Sequence, residues 1–192
     1  MLEISSRTRK DAPPGHNGMQ INRRKSDEAY MRMAMQLAQD AADRGEVPVG
    51  AVVVAENGEV LARAYNQVEM LKDGTAHAEM IAITQAASTL GDWRLTTATL
   101  YVTKEPCAMC AGAMVNSRLG KLFYGCADPR AGAAGSALNI LDFEGMLHQV
   151  EVSGGLCADE CLEQLQTFFR ERRNQKTKQK KQDEWPDNLS MN

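Results

Sequence analysis

Two short motifs constrain the fold most strongly, because they must meet although a long stretch of chain separates them. His77 and Glu79 form the first motif, and Cys107 and Cys110 belong to the second. If these side chains surround one metal ion, residues 80–105 must leave that point and return to it. The interval is long enough for a helix, a turn and a strand, which would bring the chain back to the same end of a sheet.

Helical geometry predicts how the side chains of each motif converge. At about 100° per residue, positions two apart point to nearly opposite sides, so His77 must lie at an irregular helix start to share an ion with Glu79. Cys107 and Cys110 are three apart and therefore share one face of a turn. Pro106 suits a first helical turn, because the N–H that it lacks would have no partner there. Both motifs are thus predicted at helix N-termini, where the positive end of the helix dipole favours thiolates.

The residue types indicate a catalytic zinc site. Structural zinc usually takes four protein ligands, whereas catalytic zinc takes three and leaves one position to water. We expect one Zn²⁺ per subunit, held by His77, Cys107 and Cys110, with the pKa of its bound water lowered from ~15.7 toward ~7. Glu79 would then carry protons from water to a nucleobase ring nitrogen and its departing amine, and burial would raise its pKa for both tasks. The combined pattern matches the known signature of zinc base deaminases.

Neither motif is specific by itself. An isolated His-x-Glu triplet arises by chance, and an isolated Cys-x-x-Cys is also found in structural half-sites, redox pairs and buried thiol pairs. Cys157 and Cys161 are four apart and are predicted to pack in the core, because no histidine or further cysteine pair accompanies them.

Charge is distributed unevenly in a chain whose net charge is only -3. Residues 1–25 carry six Lys or Arg and two acids, residues 170–192 carry seven and four, and residues 26–169 carry nine and nineteen. An acidic body with basic ends argues against a uniformly basic nucleic-acid binder but agrees with a local phosphate contact. Two solvated tails would explain the same charges.

Cysteine count and hydropathy favour a cytoplasmic protein. Five cysteines, two of them at metal-ligand spacing, indicate ligands and free thiols in a reducing compartment. Every apolar run is soon broken by charge or glycine, so no membrane helix is predicted. Residues 1–25 lack the apolar block of a secretory signal.

Hydrophobic periodicity predicts an α/β domain over residues 26–175, between a disordered N-terminal extension at 1–25 and a flexible C-terminal tail at 176–192. Helices are predicted at residues 26–42, 77–90, 107–117 and 158–173, and strands at residues 51–54, 60–65, 98–103, 121–125 and 150–152. Asn57-Gly58 is a strong hairpin signal between the first two strands. A hairpin followed by alternating strands and helices predicts three α/β/α layers around a mixed five-stranded sheet.

Several further stretches carry a family pattern. They lie at residues 46–51, 75–79, 101–103, 105–114, 132–136 and 168–170. On these residues the chain resembles the tRNA-specific adenosine deaminases, which have the cytidine deaminase-like fold, and the resemblance covers about residues 27–173. The zinc motifs are common to that whole superfamily. The Gly132–Ser136 loop and the Phe-Phe-Arg helix near the C-terminus are narrower features.

The resemblance implies a zinc-dependent homodimer that converts adenosine to inosine at the wobble position of a tRNA anticodon. It implies that Asn66 contacts the target base and that the main-chain N–H of Ala78 lies in the pocket. Asp128 would lie on a loop that approaches the nucleotides. An unpaired loop base suits this chemistry, because it can be turned out and recognised by its edges.

The basic end of the last helix would meet tRNA phosphates through Arg170, Arg172 and Arg173. A solvated helix terminus that complements its own dipole explains these arginines too. The sequence departs from the family pattern at Lys104, where an apolar residue is expected, and at Ala127, where a basic residue is common. Both departures bear on RNA contacts and leave the zinc chemistry unchanged.

Two other functions remain open from the sequence. A free cytosine or guanine deaminase would share the zinc site but would have no use for the basic terminal helix. A catalytically silent RNA-binding subunit with structural zinc would have no chemical need for Glu79.

Overall fold

A computed structural model describes residues 25–183, so the predicted extension at residues 1–25 lies outside the described residues except for Lys25. Five strands and five helices follow one another along the described chain. In chain order they are α1 (Asp27–Asp43), β1 (Gly50–Val54), β2 (Val60–Tyr65), α2 (Val68–Leu71), α3 (Ala78–Leu90), β3 (Thr99–Lys104), α4 (Ala108–Asn116), β4 (Lys121–Cys126), β5 (Glu151–Gly154) and α5 (Ala158–Asp183).

The strands form one mixed sheet in the order β2-β1-β3-β4-β5. β1 pairs antiparallel with both β2 and β3, whereas β3, β4 and β5 are parallel. The carboxyl ends of β3 and β4 therefore lie at the same edge as the start of β1 and the end of β2. This edge carries the candidate site, and the predicted mixed five-stranded sheet is confirmed.

Helices cover both faces of the sheet, which confirms the predicted three-layer arrangement. One buried cluster joins α3 and α4 to the sheet, and it includes Ala82, Met114 and Leu122. A second cluster joins α1 and α5 to the opposite face. There Tyr101 lies between the rings of Tyr30 and Phe123, each with its centroid 5.2 Å away. Burying a large side chain of this kind stabilises the fold by about 1.5–3 kcal/mol.

Local sequence signals account for the ends of several elements. Ser26 caps α1, and its hydroxyl accepts a hydrogen bond from the main-chain N–H of Ala29 at 3.2 Å. All five residues of β1 are buried, as a continuous β-branched run predicts. Asn57 and Gly58 form the hairpin turn, with Gly58 at a φ of 86°. Glycine accepts that left-handed conformation without a steric penalty.

The closing helix is longer than predicted, and one short helix was missed. α5 ends at Asp183 and not near Arg173, so residues 176–183 are helical where a flexible tail was expected. Lysine and glutamine are good helix formers, and no glycine or proline interrupts this stretch. The rest of that predicted tail, residues 184–192, lies outside the described residues. α2 has only four residues, too few for periodicity to show.

Among residues 25–183, no helix combines the length and the hydropathy that crossing a bilayer requires.

Candidate metal centre and substrate pocket

The two sequence motifs meet at the N-termini of two helices. His77 is the N-cap residue of α3, with extended backbone angles of φ -70° and ψ 151°. Cys107 is the N-cap residue of α4, and Cys110 lies in the first turn of that helix. The prediction that His77 lies at a helix start is confirmed.

The three ligand atoms form a nearly equilateral triangle. His77 Nδ1 lies 3.6 Å from Cys107 Sγ and 3.5 Å from Cys110 Sγ, and the two sulfurs are 3.7 Å apart. A tetrahedral zinc with usual bond lengths would separate two sulfurs by about 3.8 Å and a sulfur from a nitrogen by about 3.6 Å. Within the described chain, these residues form a group whose ligand atoms all lie within 4.8 Å of one another. The triangle therefore has the size that a three-ligand metal centre requires.

The three side chains are in hydrogen-bonding contact with one another. The Cys110 thiol and then the His77 ring lower the pKa of Cys107 to about 3. The contact with Cys107 and then burial raise the pKa of Cys110. The contact with Cys107 also raises the pKa of His77, although burial would lower it. Metals bind cysteine as thiolate and histidine as neutral imidazole, so binding would displace these shared protons.

Glu79 lies beside the triangle in the first turn of α3. Its side chain is 4% exposed, and burial raises its pKa. Its carboxyl group also contacts Cys110. A buried carboxyl of this kind is suited to exchanging protons with a neighbouring molecule.

A cavity of about 550 Å³ opens next to the metal triangle. This volume is in the range of small-molecule binding sites. His77, Glu79 and Cys107 line this cavity, and so do Leu165 and Phe169 of α5. The remaining lining residues are Glu46, Val47, Val49, Asn66, Val68, Glu69, Lys104, Glu105, Ala127, Asp128, Pro129 and Arg130.

Asn66 and Asp128 both line this cavity, as the resemblance implies. Asp128 forms an ion pair with Lys104 at 2.5 Å, so the lysine that departs from the family pattern neutralises this carboxylate. Burial would raise the pKa of Asp128, but the hydrogen bond from Lys104 and main-chain donors lowers it instead. Ala127 lies beside the pair in the cavity wall.

Ala78 is the first residue of α3 and is fully buried. The first main-chain N–H groups of a helix have no acceptor within the helix. Ala78 is not among the residues that line the cavity, so its contact with a substrate stays a prediction.

The structure does not bring the three predicted arginines to the cavity wall. Arg170 donates to Thr167 Oγ1 at 3.0 Å, and Arg172 donates to the carbonyl of Gly45 at 3.3 Å. Arg173 is exposed on α5. Phe169 occupies the wall in their place. None of these three arginines is among the residues that line the cavity.

Comparison with known proteins agrees with this geometry. A family model for MafB19-like deaminases matches residues 25–173. The tRNA-specific adenosine deaminase of Bacillus subtilis (strain 168) is 50% identical over 150 residues, which cover 78% of this chain and 92% of that protein. The chain belongs to the tRNA-specific adenosine deaminase family. A second member of this family, from Haemophilus influenzae, is 44% identical over 150 residues, covering 78% of this chain and 87% of the relative.

The fold of the family is also found among solved structures. One structure, from studies of A-to-I editing by tRNA:A34 deaminases at the wobble position of transfer RNA, is 42% identical. It superposes with a TM-score of 0.69 and covers 71% of this chain and 99% of that chain. The predicted cytidine deaminase-like fold is confirmed.

Glu46 supports the cavity of this adenosine deaminase family member, a role that the sequence did not indicate. Glu46 is 1% exposed and accepts a hydrogen bond from Asn66 Nδ2 at 3.0 Å. It also accepts from the main-chain N–H groups of Glu69 at 3.1 Å and Met70 at 2.6 Å. A carboxylate only accepts, so Glu46 fixes the Asn66 amide with its NH2 group toward the carboxylate. Its position in the Glu-Val-Pro-Val stretch was the one available signal.

Glu105 is the second residue that sequence reasoning missed, and it organises the loop of residues 128–136. Its carboxylate accepts hydrogen bonds from the main-chain N–H groups of Asp128 at 2.8 Å, Ala134 at 3.1 Å and Ser136 at 3.0 Å. Burial would raise the pKa of Glu105, but a hydrogen bond with the Ser136 side chain and then these main-chain donors lower it. A side chain on Gly132 would meet the Glu105 carboxylate at 2.3 Å, which explains the glycine.

Proposed function

We propose that this protein hydrolyses adenosine to inosine at the wobble position of a tRNA anticodon. One observation carries the proposal: the His77–Cys107–Cys110 triangle shares a cavity with the buried carboxyl of Glu79. The choice of substrate follows the relatives, which are named tRNA-specific adenosine deaminases. The cavity lies at two helix N-termini and is lined by the aromatic ring of Phe169. Such a cavity suits a nucleobase that has been turned out of the RNA base stack.

His77, Cys107 and Cys110 fit Zn²⁺, which when bound would supply a water of lowered pKa. Glu79 is the proton carrier. Its carboxylate accepts a proton from the attacking water and delivers it to the ring nitrogen, and a second transfer completes the departing ammonia. Burial raises its pKa, so both its protonated and its ionised form are accessible during the cycle.

The remaining polar groups of the cavity would position the base. Asn66 presents its amide to the ring edge, because Glu46 already holds one end of that amide. The Ala78 main-chain N–H donates to the base from the start of α3, where the helix dipole favours developing negative charge. Asp128, paired with Lys104, lies where the nucleotides enter.

The arginines of α5 would meet the RNA backbone outside the cavity. Arg170, Arg172 and Arg173 lie on the helix that also provides Phe169 to the cavity wall. Phosphates that flank the inserted base would pass this helix, and guanidinium groups bind phosphate oxygens well. These arginines would therefore add affinity for RNA, whereas the cavity would select the base.

A homodimer is part of the proposal. Met70 and Leu71 on α2 are 53% and 55% exposed. A neighbouring depression of about 310 Å³ is lined in part by Ala76, Met80 and Ile81. Exposed apolar surface of this kind usually marks a protein interface. Sedimentation analysis of the purified protein should give twice the mass of one chain.

A cytoplasmic location is also part of the proposal. All five cysteines lie within the described residues and are free thiols. Free thiols and a metal site made from them suit a reducing compartment. Cell fractionation should place the protein with cytosolic markers.

The decisive experiment incubates the purified protein separately with tRNA, adenosine, cytosine and guanine. Inosine mapped by sequencing to the wobble position would support the proposal and identify the tRNA at the same time. Turnover of free bases alone would contradict it and favour the free-base deaminase. Absence of turnover on every substrate by the zinc-loaded protein would favour the silent RNA-binding subunit.

A further inference from the structure

The last turns of α5 carry a basic stripe that continues the helix face lining the cavity. Leu165 and Phe169 provide that face at the cavity wall. At about 100° per residue, positions three, four, seven and eleven residues after Phe169 return to the same side of the helix. Four basic residues occupy those positions and define the basic stripe: Arg172, Arg173, Lys176 and Lys180.

The outer half of the basic stripe does not pack on the domain through apolar side chains. α5 runs to Asp183, whereas the family model ends at residue 173. Residues 173–180 are all exposed, and residues 170–180 include no apolar side chain. These turns therefore bury no apolar surface against the domain. They also lack the apolar face with which an interfacial helix binds a membrane.

We propose that Lys176 and Lys180 dock on the phosphate backbone of the base-paired stem that carries the target loop. The inference rests on the proposed function, because it takes an RNA base in the cavity as its starting point. At about 1.5 Å per residue, these lysines lie about 10 and 16 Å along the helix from Phe169. Arg172 and Arg173 come between them and the cavity. The stripe thus leads from the inserted base, past its flanking phosphates, to the adjoining duplex.

Charge supports this direction of approach. Residues 26–169 carry nine basic and nineteen acidic side chains, so most of the domain surface repels a polyanion. Attraction for RNA must then be local, and the stripe supplies it beside the cavity. Proteins recognise duplex RNA mainly through its shape and its backbone, which exposed lysines can contact without selecting a sequence. The stem contact should therefore add affinity and salt dependence without changing the chemical step.

Lys178 provides a matched control on the same helix. It lies nine residues after Phe169, which at about 100° per residue places it on the opposite face. Removing its charge changes the net charge and the helix dipole as much as removing that of Lys176. Glutamine has nearly the helix propensity of lysine, so either substitution should keep the helix.

The experiment compares Lys176→Gln, Lys178→Gln and the double variant Lys176→Gln/Lys180→Gln in the full-length protein. Each is assayed on a stem-loop RNA with the target adenosine in its loop, and on an unpaired oligonucleotide with the loop sequence alone. For the stem-loop we expect Lys176→Gln to raise KM about threefold to tenfold, with kcat unchanged, and to reduce the slope of log KM against log salt by about one. The double variant should reduce that slope by about two. Lys178→Gln should match the wild type, and KM for the unpaired oligonucleotide should stay unchanged in all variants.

Equal effects of Lys176→Gln and Lys178→Gln on the stem-loop would overturn the stem contact, because total charge would then explain the result. An equal rise in KM for both RNAs would overturn it too, since the lysines would be contacting the loop. Wild-type protein inactive on both RNAs would instead contradict the proposed function. The two failures are therefore distinguishable.

Discussion

Glu46 and Asn66 are joined by a buried hydrogen bond of 3.0 Å, although twenty residues separate them in the sequence. The same carboxylate holds two main-chain N–H groups at the start of α2. The orientation of the Asn66 amide in the cavity wall is therefore set by the buried carboxylate of Glu46.

Replacing Glu46 with glutamine should disturb the pocket more than the fold of the sheet. The new amide can present a donor where Asn66 and Glu69 already donate, and each lost charged hydrogen bond costs about 1.5–3 kcal/mol. We expect kcat/KM to fall about tenfold or more, with zinc content unchanged, because a factor of ten corresponds to about 1.4 kcal/mol. Steady-state kinetics and metal analysis check this. Glu56→Gln, the same change at an exposed turn, should leave kcat/KM at the wild-type value.

Glu79→Ala should abolish proton transfer and leave the metal centre in place. General acid–base groups contribute about 10²–10⁴-fold, so kcat should fall by at least that factor. Zinc should stay near one ion per subunit, because Glu79 is not among the three residues of the triangle. Inosine formation and metal content would be measured on the same preparation. Inosine formation at the wild-type rate would rule out Glu79 as the proton carrier.

Cys107→Ala should remove the metal and with it the activity. Two ligands do not suffice for a site that uses three, so the zinc content should fall toward zero. Tm should also fall, because the free energy of zinc binding no longer stabilises the folded state. Cys157→Ala removes a thiol outside the triangle and should retain one zinc per subunit. Chelation of the wild-type protein should reproduce the Cys107→Ala loss. Equal zinc loss in the two variants would contradict the assignment of the ligands.

Glu105→Gln should destabilise the protein in a pH-dependent manner. The Ser136 side chain and the main-chain donors around Glu105 lower its pKa in the folded state below the unfolded value of about 4.3. The ionised carboxylate therefore contributes stability that is fully present above that value and is lost as pH falls through the folded pKa. Denaturant titrations should show a deficit of about 1–3 kcal/mol at pH 7, unchanged down to about pH 5 and smaller below pH 4. A deficit that grows on acidification would contradict this.

Two glycine substitutions should change stability in opposite directions. A side chain at Gly50 would lie 2.0 Å from the carbonyl oxygen of Ala34, because α1 packs directly on β1 there. Gly50→Ala should cost at least the about 1–3 kcal/mol typical of overpacking. Gly112 lies within α4 with no atom within 4 Å of an added Cβ, so Gly112→Ala should stabilise by about 0.4–1 kcal/mol. Thermal melts of both variants would decide.

The ligand triangle could be predicted from sequence because the residues of each motif are close together along the chain. Ligand spacing and helical geometry together required His77 at a helix start, and the N-cap position of that residue agrees. Continuous apolar runs likewise predicted β1 and β3, because both strands are almost entirely buried.

The supporting carboxylates could not be predicted in this way. Glu46 and Glu105 accept hydrogen bonds from partners twenty or more residues away along the chain, and a single sequence has no periodicity that reports such pairs. The end of α5 was missed for another reason. Burial ends near Phe168, and beyond it only helix propensity continues, which is a weak signal in isolation.

The Glu105 carboxylate has a consequence for how this pocket adapts. The loop it holds is also bonded to the metal-ligand helix, since the N–H of Ala133 donates to the carbonyl of Pro106 at 2.8 Å and Gly132 bridges to Cys107. Hydrogen bonds therefore tie this loop to the start of the helix that carries Cys110, which should reduce the ordering entropy that nucleotide binding costs on this side. A change of substrate preference would have to arise from exchanging side chains on a fixed frame, because the frame itself has no hinge at this point.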